Sequence, residues 1–178
     1  MKIGLIGLAG SGKSYILKTI SRYDFDVIEV DKIGHEALKD KGISSLVQDR
    51  FGTTDRSELG KIVFSDDSAL RDLEAITHPW IKERVIELIE GNGNFVLDAA
   101  ILFRMGLHKL VDEVWLVYAS FPERLKRVEK RGWSKEELLK RDSAVVDDVL
   151  GNTDKVSKTI MNEEDDIALI EVERAFGF

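Results

Sequence analysis

The chain has 178 residues, a length that suits one domain with a substantial core, and its 43% hydrophobic and 33% charged residues are ordinary for a soluble globular protein. It contains no cysteine, which excludes disulfides, thiolate metal sites and cysteine nucleophiles. A formal net charge of -7 argues against general nucleic-acid binding, because a polyanion demands a basic face, and no apolar run approaches the length of a membrane span.

Met1 to Ile6 reads as a buried β-strand. Directly after it, Gly7-Leu8-Ala9-Gly10-Ser11-Gly12-Lys13-Ser14 fits G-x-x-x-x-G-K-[ST] at every specified position. Lys13 to about Arg22 then reads as a helix, apolar at Ile16, Leu17 and Ile20. The motif is a phosphate-binding P-loop, and its composition follows from its task. Backbone N–H groups must converge on phosphate oxygens, which requires residues that accept unusual φ/ψ and permit close approach. Gly7, Ala9, Gly10, Ser11, Gly12, Lys13, Ser14 and Tyr15 are therefore the expected nucleotide-binding stretch. Lys13 reaches the phosphates, Ser14 offers a hydroxyl to Mg²⁺, and the helix directs its positive end at the same anion. The plain alternative is a glycine-rich turn that binds nothing. The loop begins so near Met1 that a targeting segment has no room, so a cytoplasmic protein is expected.

Phe25 to Val30 reads as the second strand, ending on Asp31. From Lys32 to Glu90 the pattern is helical, with breaks expected at Gly42, Gly52, Gly60 and His78-Pro79; Leu46, Val47, Phe51, Leu59, Ile62, Val63 and Phe64 recur at helical spacing. Sixty residues far exceed what a parallel crossover needs, so residues 32–92 are expected to form an inserted helical subdomain. Gly91-Asn92-Gly93 is a turn, Phe95 to Asp98 a third strand and Glu113 to Tyr118 a fourth. Phe121 to Arg131 and Lys135 to about Leu150 are helical, with Gly132 between them. Val156 to Met161 is the fifth strand and Asp165 to Phe176 a closing helix. Strands alternating with helices imply an α/β, three-layer fold around a five-stranded parallel sheet.

Two carboxylates end strands on the side where such sheets bind ligands. Asp98 suits a Mg²⁺-holding role, against the alternative of a strand-end turn residue. Asp31 suits acceptance of a hydroxyl proton, against the alternative of capping the helix that follows. His35 and His78 lack the partners of a metal site. Arg124, Arg127 and Arg131 share a helix face, and Arg141 follows on the next helix. They are either a solvated charged face or, as their position after the fourth strand favours, groups that close over ATP and offset charge on the transferring phosphoryl group.

Taken together these residues resemble the dephospho-coenzyme A kinases. The resemblance rests on the P-loop, Asp31-Lys32-Ile33-Gly34-His35, Phe51-Gly52, Asp55-Arg56 with Leu59, Val63-Phe64, His78-Pro79, Leu97 to Phe103, the Arg127 and Arg131 helix, and Asp148 with Asn152; beyond Asn152 it fades. It implies a P-loop kinase fold, ATP with Mg²⁺ as cofactors, and transfer of the γ-phosphoryl group to the 3'-hydroxyl of dephospho-CoA. Asp31 would be the base, and residues 121–145 a lid whose Arg127, Arg131 and Arg141 meet ATP. Asn152 would lie near the adenine. Asp31, His35, Arg56, His78, Pro79 and Asp98 would serve the acceptor. The chain departs from the family in having Ala100 where proline is usual, Arg104 where glutamate is usual, and no glutamine shortly after Arg141. Two rivals remain: a kinase of the same fold for a nucleoside monophosphate or another metabolite, and a GTP-dependent switch. The switch would need an N-K-x-D segment, which the chain lacks. A monomer or weak oligomer is expected, with a small-molecule substrate and neither nucleic acid nor membrane as partner.

Overall fold

The computed structural model describes every residue except 64, 92, 164 and 178, and the backbone but not the side chains of 165–167. The described chain forms two compact units, Met1–Ile28 with Gly91–Phe178, and Glu29–Glu90. The expected features at Phe64 and Asn92 lie outside the described residues.

The first unit is built on β1 (Lys2–Ile6), β2 (Asp26–Glu29), β3 (Phe95–Asp98), β4 (Glu113–Tyr118) and β5 (Lys158–Met161), in the order β2-β3-β1-β4-β5. Parallel registers such as Leu5↔Asp98, Ile6↔Leu116 and Leu116↔Thr159 bring the C-terminal ends of β3, β1, β4 and β5 to one edge. β1 and β4 are nearly continuous apolar runs because each lies between two neighbours with both faces covered. The helices of this unit are α1 (Lys13–Ile20), then α6 (Phe121–Glu129), α7 (Lys135–Leu150) and α8 (Asp165–Phe176). Ile16, Leu17 and Ile20 of α1 join Ile3, Leu5, Trp115, Val117 and Ile160 in one core. At its end, Phe176 stacks against Tyr23, Phe25 and Trp115, with centroids 4.9, 5.4 and 5.3 Å apart.

Beyond Glu29, the elements described in the second unit are helices: α2 (Val30–Ala37), α3 (Lys41–Phe51), α4 (Arg56–Val63) and α5 (Asp67–Ile89). α2, α3 and α4 all pack on α5. Asp40 caps α3 by accepting from the N–H groups of Gly42 and Ile43, and Asp66 caps α5 through Ser68.

Several expected boundaries move. β2 stops at Glu29, so Asp31 does not end a strand; it stands in the first turn of α2, one residue after Val30 opens that helix. Nor does it cap α2, whose N-cap position is Glu29. Of the expected breaks only Gly52 is one, ending α3 at φ 73°. Gly42 and Gly60 lie inside helices, and His78-Pro79 lies inside the 23-residue α5. Packing on three sides outweighs the local penalties of glycine and of the N–H that proline lacks.

Candidate active site

The apolar β1 ends at Ile6, and the loop Gly7–Gly12 turns the chain into α1. Ser11 N–H donates to Leu8 O at 3.1 Å, which tightens the turn. Gly12, at φ 90°, is the N-cap of α1, and a Cβ there would collide with the Asn162 amide. Only glycine serves at that position. Lys13 and Ser14 open the helix, so its unpaired N–H groups and positive end face the mouth of the loop.

At that mouth Lys13 Nζ lies 2.7 Å from Asp98 Oδ1, with both side chains under one-fifth exposed. The parallel register that sets Asp98 beside Leu5 is what brings the two together. Ser14 and Asp98 provide hard oxygen donors, and among the described residues no group of three or more His, Cys, Asp or Glu could cage a metal. That donor set fits Mg²⁺, which takes one or two protein oxygens and completes its shell with phosphate and water.

The far side of the loop is held by side chains from α6, α7 and the end of β5. Arg124 is buried and forks onto Asp142 with hydrogen bonds of 2.8 and 2.7 Å, while its Nη1 also donates to Ala9 O at 3.0 Å. Arg127 donates to Ser11 O at 3.2 Å and to Asn162 O at 2.7 Å. Asn162 Nδ2 donates to Ser11 O at 2.7 Å. Glu163 accepts from the N–H and hydroxyl of Ser120, tying the ends of β4 and β5 together. Among the described residues, two buried side-chain oxygens at the loop, Ser11 Oγ and Asn162 Oδ1, lack a protein hydrogen-bond partner, as does His108 Nδ1 elsewhere in the unit. Buried polar atoms are normally satisfied, so those at the loop fit a polar ligand.

The expected nucleotide set divides. The loop residues and Arg127 come together. Arg131 is exposed just beyond the end of α6, and the Arg141 guanidinium lies 4.0 Å from the Trp133 ring. Asn152 sits beyond the end of α7, donating to Asp148 O at 3.1 Å and accepting from Lys155 at 2.7 Å. It helps line an open pocket with Phe103, Arg104, His108 and Asp148. The asparagine at the loop is Asn162, which the sequence reading overlooked. Its signal was weak: Asn162 follows a strand, but that strand, Lys158-Thr159-Ile160-Met161, lacks the apolar run that singled out Asp98. Asp142 gave no such signal, since an aspartate inside a helix reads as solvated.

The expected acceptor residues fall in the second unit, apart from Asp98. Arg56 Nη2 lies 2.6 Å from His35 Nε2, joining α4 to α2. His78 and Pro79 occupy the middle of α5, and Asp31 the first turn of α2.

A P-loop at the end of the central strand of a β2-β3-β1-β4-β5 parallel sheet, with a helical unit between β2 and β3, defines a P-loop kinase of small metabolites. Solved structures share the fold: a shikimate kinase from Acinetobacter baumannii at TM-score 0.57 and 15% identity covers 99% of this chain and 93% of its own. A dephospho-CoA kinase from Campylobacter jejuni reaches TM-score 0.67 at 24% identity, covering 99% and 96%. The family model for dephospho-CoA kinase matches residues 1–168, and the chain belongs to that family. The match carries the family through β5, past the Asn152 limit expected from sequence. Curated relatives named dephospho-CoA kinase include those of Dehalococcoides mccartyi, 33% identical with 78% of this chain and 77% of the relative covered, and Carboxydothermus hydrogenoformans, 37% identical with 78% and 75% covered. The chain is thus a kinase of coenzyme A biosynthesis.

Proposed function

We propose that this kinase transfers the ATP γ-phosphoryl group to the 3'-hydroxyl of dephospho-CoA through a division of labour between its two units. The observation that supports the reading is the Lys13–Asp98 pair of 2.7 Å at the mouth of a glycine loop, a cation beside the amides expected to meet phosphate. Lys13 leaves Asp98 to follow the β and γ phosphates, while the loop N–H groups and the α1 terminus hold them. Mg²⁺, held through Ser14 and Asp98, would neutralise phosphate charge. The acceptor oxygen forms a bond to the γ phosphorus as the bond to the β-bridging oxygen breaks, and Asp31 orients the hydroxyl and accepts its proton. His35, Arg56, His78 and Pro79, in the helical unit, serve the acceptor. Residues 121–145 serve as a lid, in which Arg127 already reaches the loop while Arg131 and Arg141 come to ATP on closure.

Among the described residues no helix is long and apolar enough to cross a membrane. The net charge of -7 favours a monomer or weak oligomer without nucleic acid as partner, and we propose the cytoplasm as its compartment. The decisive test is product analysis after incubation with ATP, Mg²⁺ and dephospho-CoA. CoA phosphorylated at the 3' position is expected; phosphorylation elsewhere, or none, overturns the reading.

A further inference from the structure

We infer that Arg124 and Asp142 are a positioning pair that aims the phosphate-binding amides from the carbonyl side of the loop, an inference that rests on the loop being the nucleotide site. In a trans peptide the C=O and N–H point to opposite sides. When Arg124 holds Ala9 O, the N–H of Gly10, which shares that peptide, is therefore turned away from α6. Arg127 and Asn162 do the same at Ser11 O, turning the Gly12 N–H. Such N–H groups are what a glycine loop presents to an anion.

Arg124 differs from the other two donors in being paired with a buried carboxylate. It is 5% exposed, and Asp142, at 9%, takes both ends of its fork. Nη1 thus divides its two hydrogens between Asp142 Oδ1 and Ala9 O, so the carboxylate sets the plane in which the guanidinium meets the loop. Close packing reinforces the arrangement: a Cβ at Gly10, already at φ 77°, would lie 2.9 Å from Arg124 O and 3.1 Å from Val128. Because Asp142 cancels the charge, the pair adds orientation to the loop and almost no net attraction for phosphate. This separates it from Lys13, whose contribution is a charge.

Two variants test the pair. Arg124→Met with Asp142→Leu removes both charges and keeps apolar volume, a replacement that buried ion pairs often tolerate. Arg124→Lys keeps the charge but has no fork with which to hold Asp142 and Ala9 O together. ATP binding by calorimetry without acceptor, KM for each substrate, and thermal melts are compared with the parent. The double variant is expected to melt within a few degrees of the parent and to bind ATP roughly tenfold more weakly, the scale of one hydrogen bond from a charged donor. Its KM for dephospho-CoA should be unchanged, and its loss should be the same at low and high salt, because no net charge has been removed. Arg124→Lys should lose ATP affinity as well. ATP affinity within twofold of the parent in the folded double variant overturns the pair's role, and so does failure of both variants to fold, which would make the pair structural only. A parent that binds no ATP would overturn the nucleotide site itself, on which the pair depends.

Discussion

Lys13 and Asp98 each hold the other's charge in place at the loop, so changing either alters two things at once. On the proposed mechanism, Lys13→Ala removes a cation that meets developing phosphate charge and leaves Asp98 without its lysine partner beside that phosphate. Turnover should fall by roughly 10²- to 10³-fold or more, measured as initial rate at saturating substrates. A rate within threefold of the parent would remove Lys13 from the phosphate site. Asp31 poses a sharper question, because its place in the first turn of α2, behind an N-cap at Glu29, eliminates the capping role that the sequence allowed. A carboxylate in that turn is also attracted to the helix N-terminus, by about 0.3–1 kcal/mol, and Asn keeps its size and one acceptor oxygen. Asp31→Asn should therefore melt within a few degrees of the parent and bind ATP normally. Its single-turnover rate should fall by roughly 10²- to 10⁴-fold, the range for losing a general base. An unchanged rate between about pH 6 and 9 would show that Asp31 takes no proton in the reaction.

Pro79 raises a conflict at the level of the element. In the interior of α5 it removes one N–H from the helical ladder, a cost of about 3 kcal/mol in an otherwise ideal helix. Pro79→Ala should raise the melting temperature and, if the residue serves the acceptor, also raise KM for dephospho-CoA without changing KM for ATP. Higher stability with an unchanged KM would separate Pro79 from the acceptor site. A second element-level device lies after β3, where Asp148 of α7 accepts from the N–H groups of Phe103 and Arg104 at 3.1 and 2.6 Å and His108 stacks on Phe103. Burial, then Lys155 and Lys109, hold the His108 imidazole below its ordinary pKa. The unfolded chain binds that proton more readily, so the stability His108 contributes is complete above about pH 6.5 and is lost as the pH falls through the folded pKa. Melting temperature should drop on acidification through that window, and His108→Gln should flatten the slope; an unchanged slope would place the effect elsewhere. The elements themselves were largely legible in the sequence. β3, β4, α7 and α8 match the spans read from apolar runs and turn residues. The errors fell where local chemistry competes with packing. Val30 continues an apolar run yet opens a helix, and Gly42, Gly60 and Pro79 look like breaks yet are carried by helices that α5 packs together. At the site, the loop and Asp98 were legible because motif and strand end coincide, whereas Arg124–Asp142 was not, because a buried ion pair and a solvated one read alike.

At the scale of the whole molecule, the proposed division of labour assigns acceptor choice to the helical unit and nucleotide chemistry to the sheet unit. Rates with dephospho-CoA should accordingly exceed those with AMP, CMP and shikimate at equal concentrations. Equal or faster use of a nucleoside monophosphate would contradict the acceptor assignment and leave the fold untouched. The three tryptophans also fall in three different surroundings: Trp115 has no exposure and bonds through its indole N–H to Glu113, Trp80 lines a pocket among the carboxylates of α2 and α5, and Trp133 stands beneath Arg141 between α6 and α7. The protein therefore carries its own optical reporters. With Trp80 and Trp115 replaced by phenylalanine, the proposed departure of Arg141 from the ring on ATP binding should change the remaining emission in a stopped-flow experiment without any attached dye; unchanged emission would keep Arg141 on Trp133 and count against the lid.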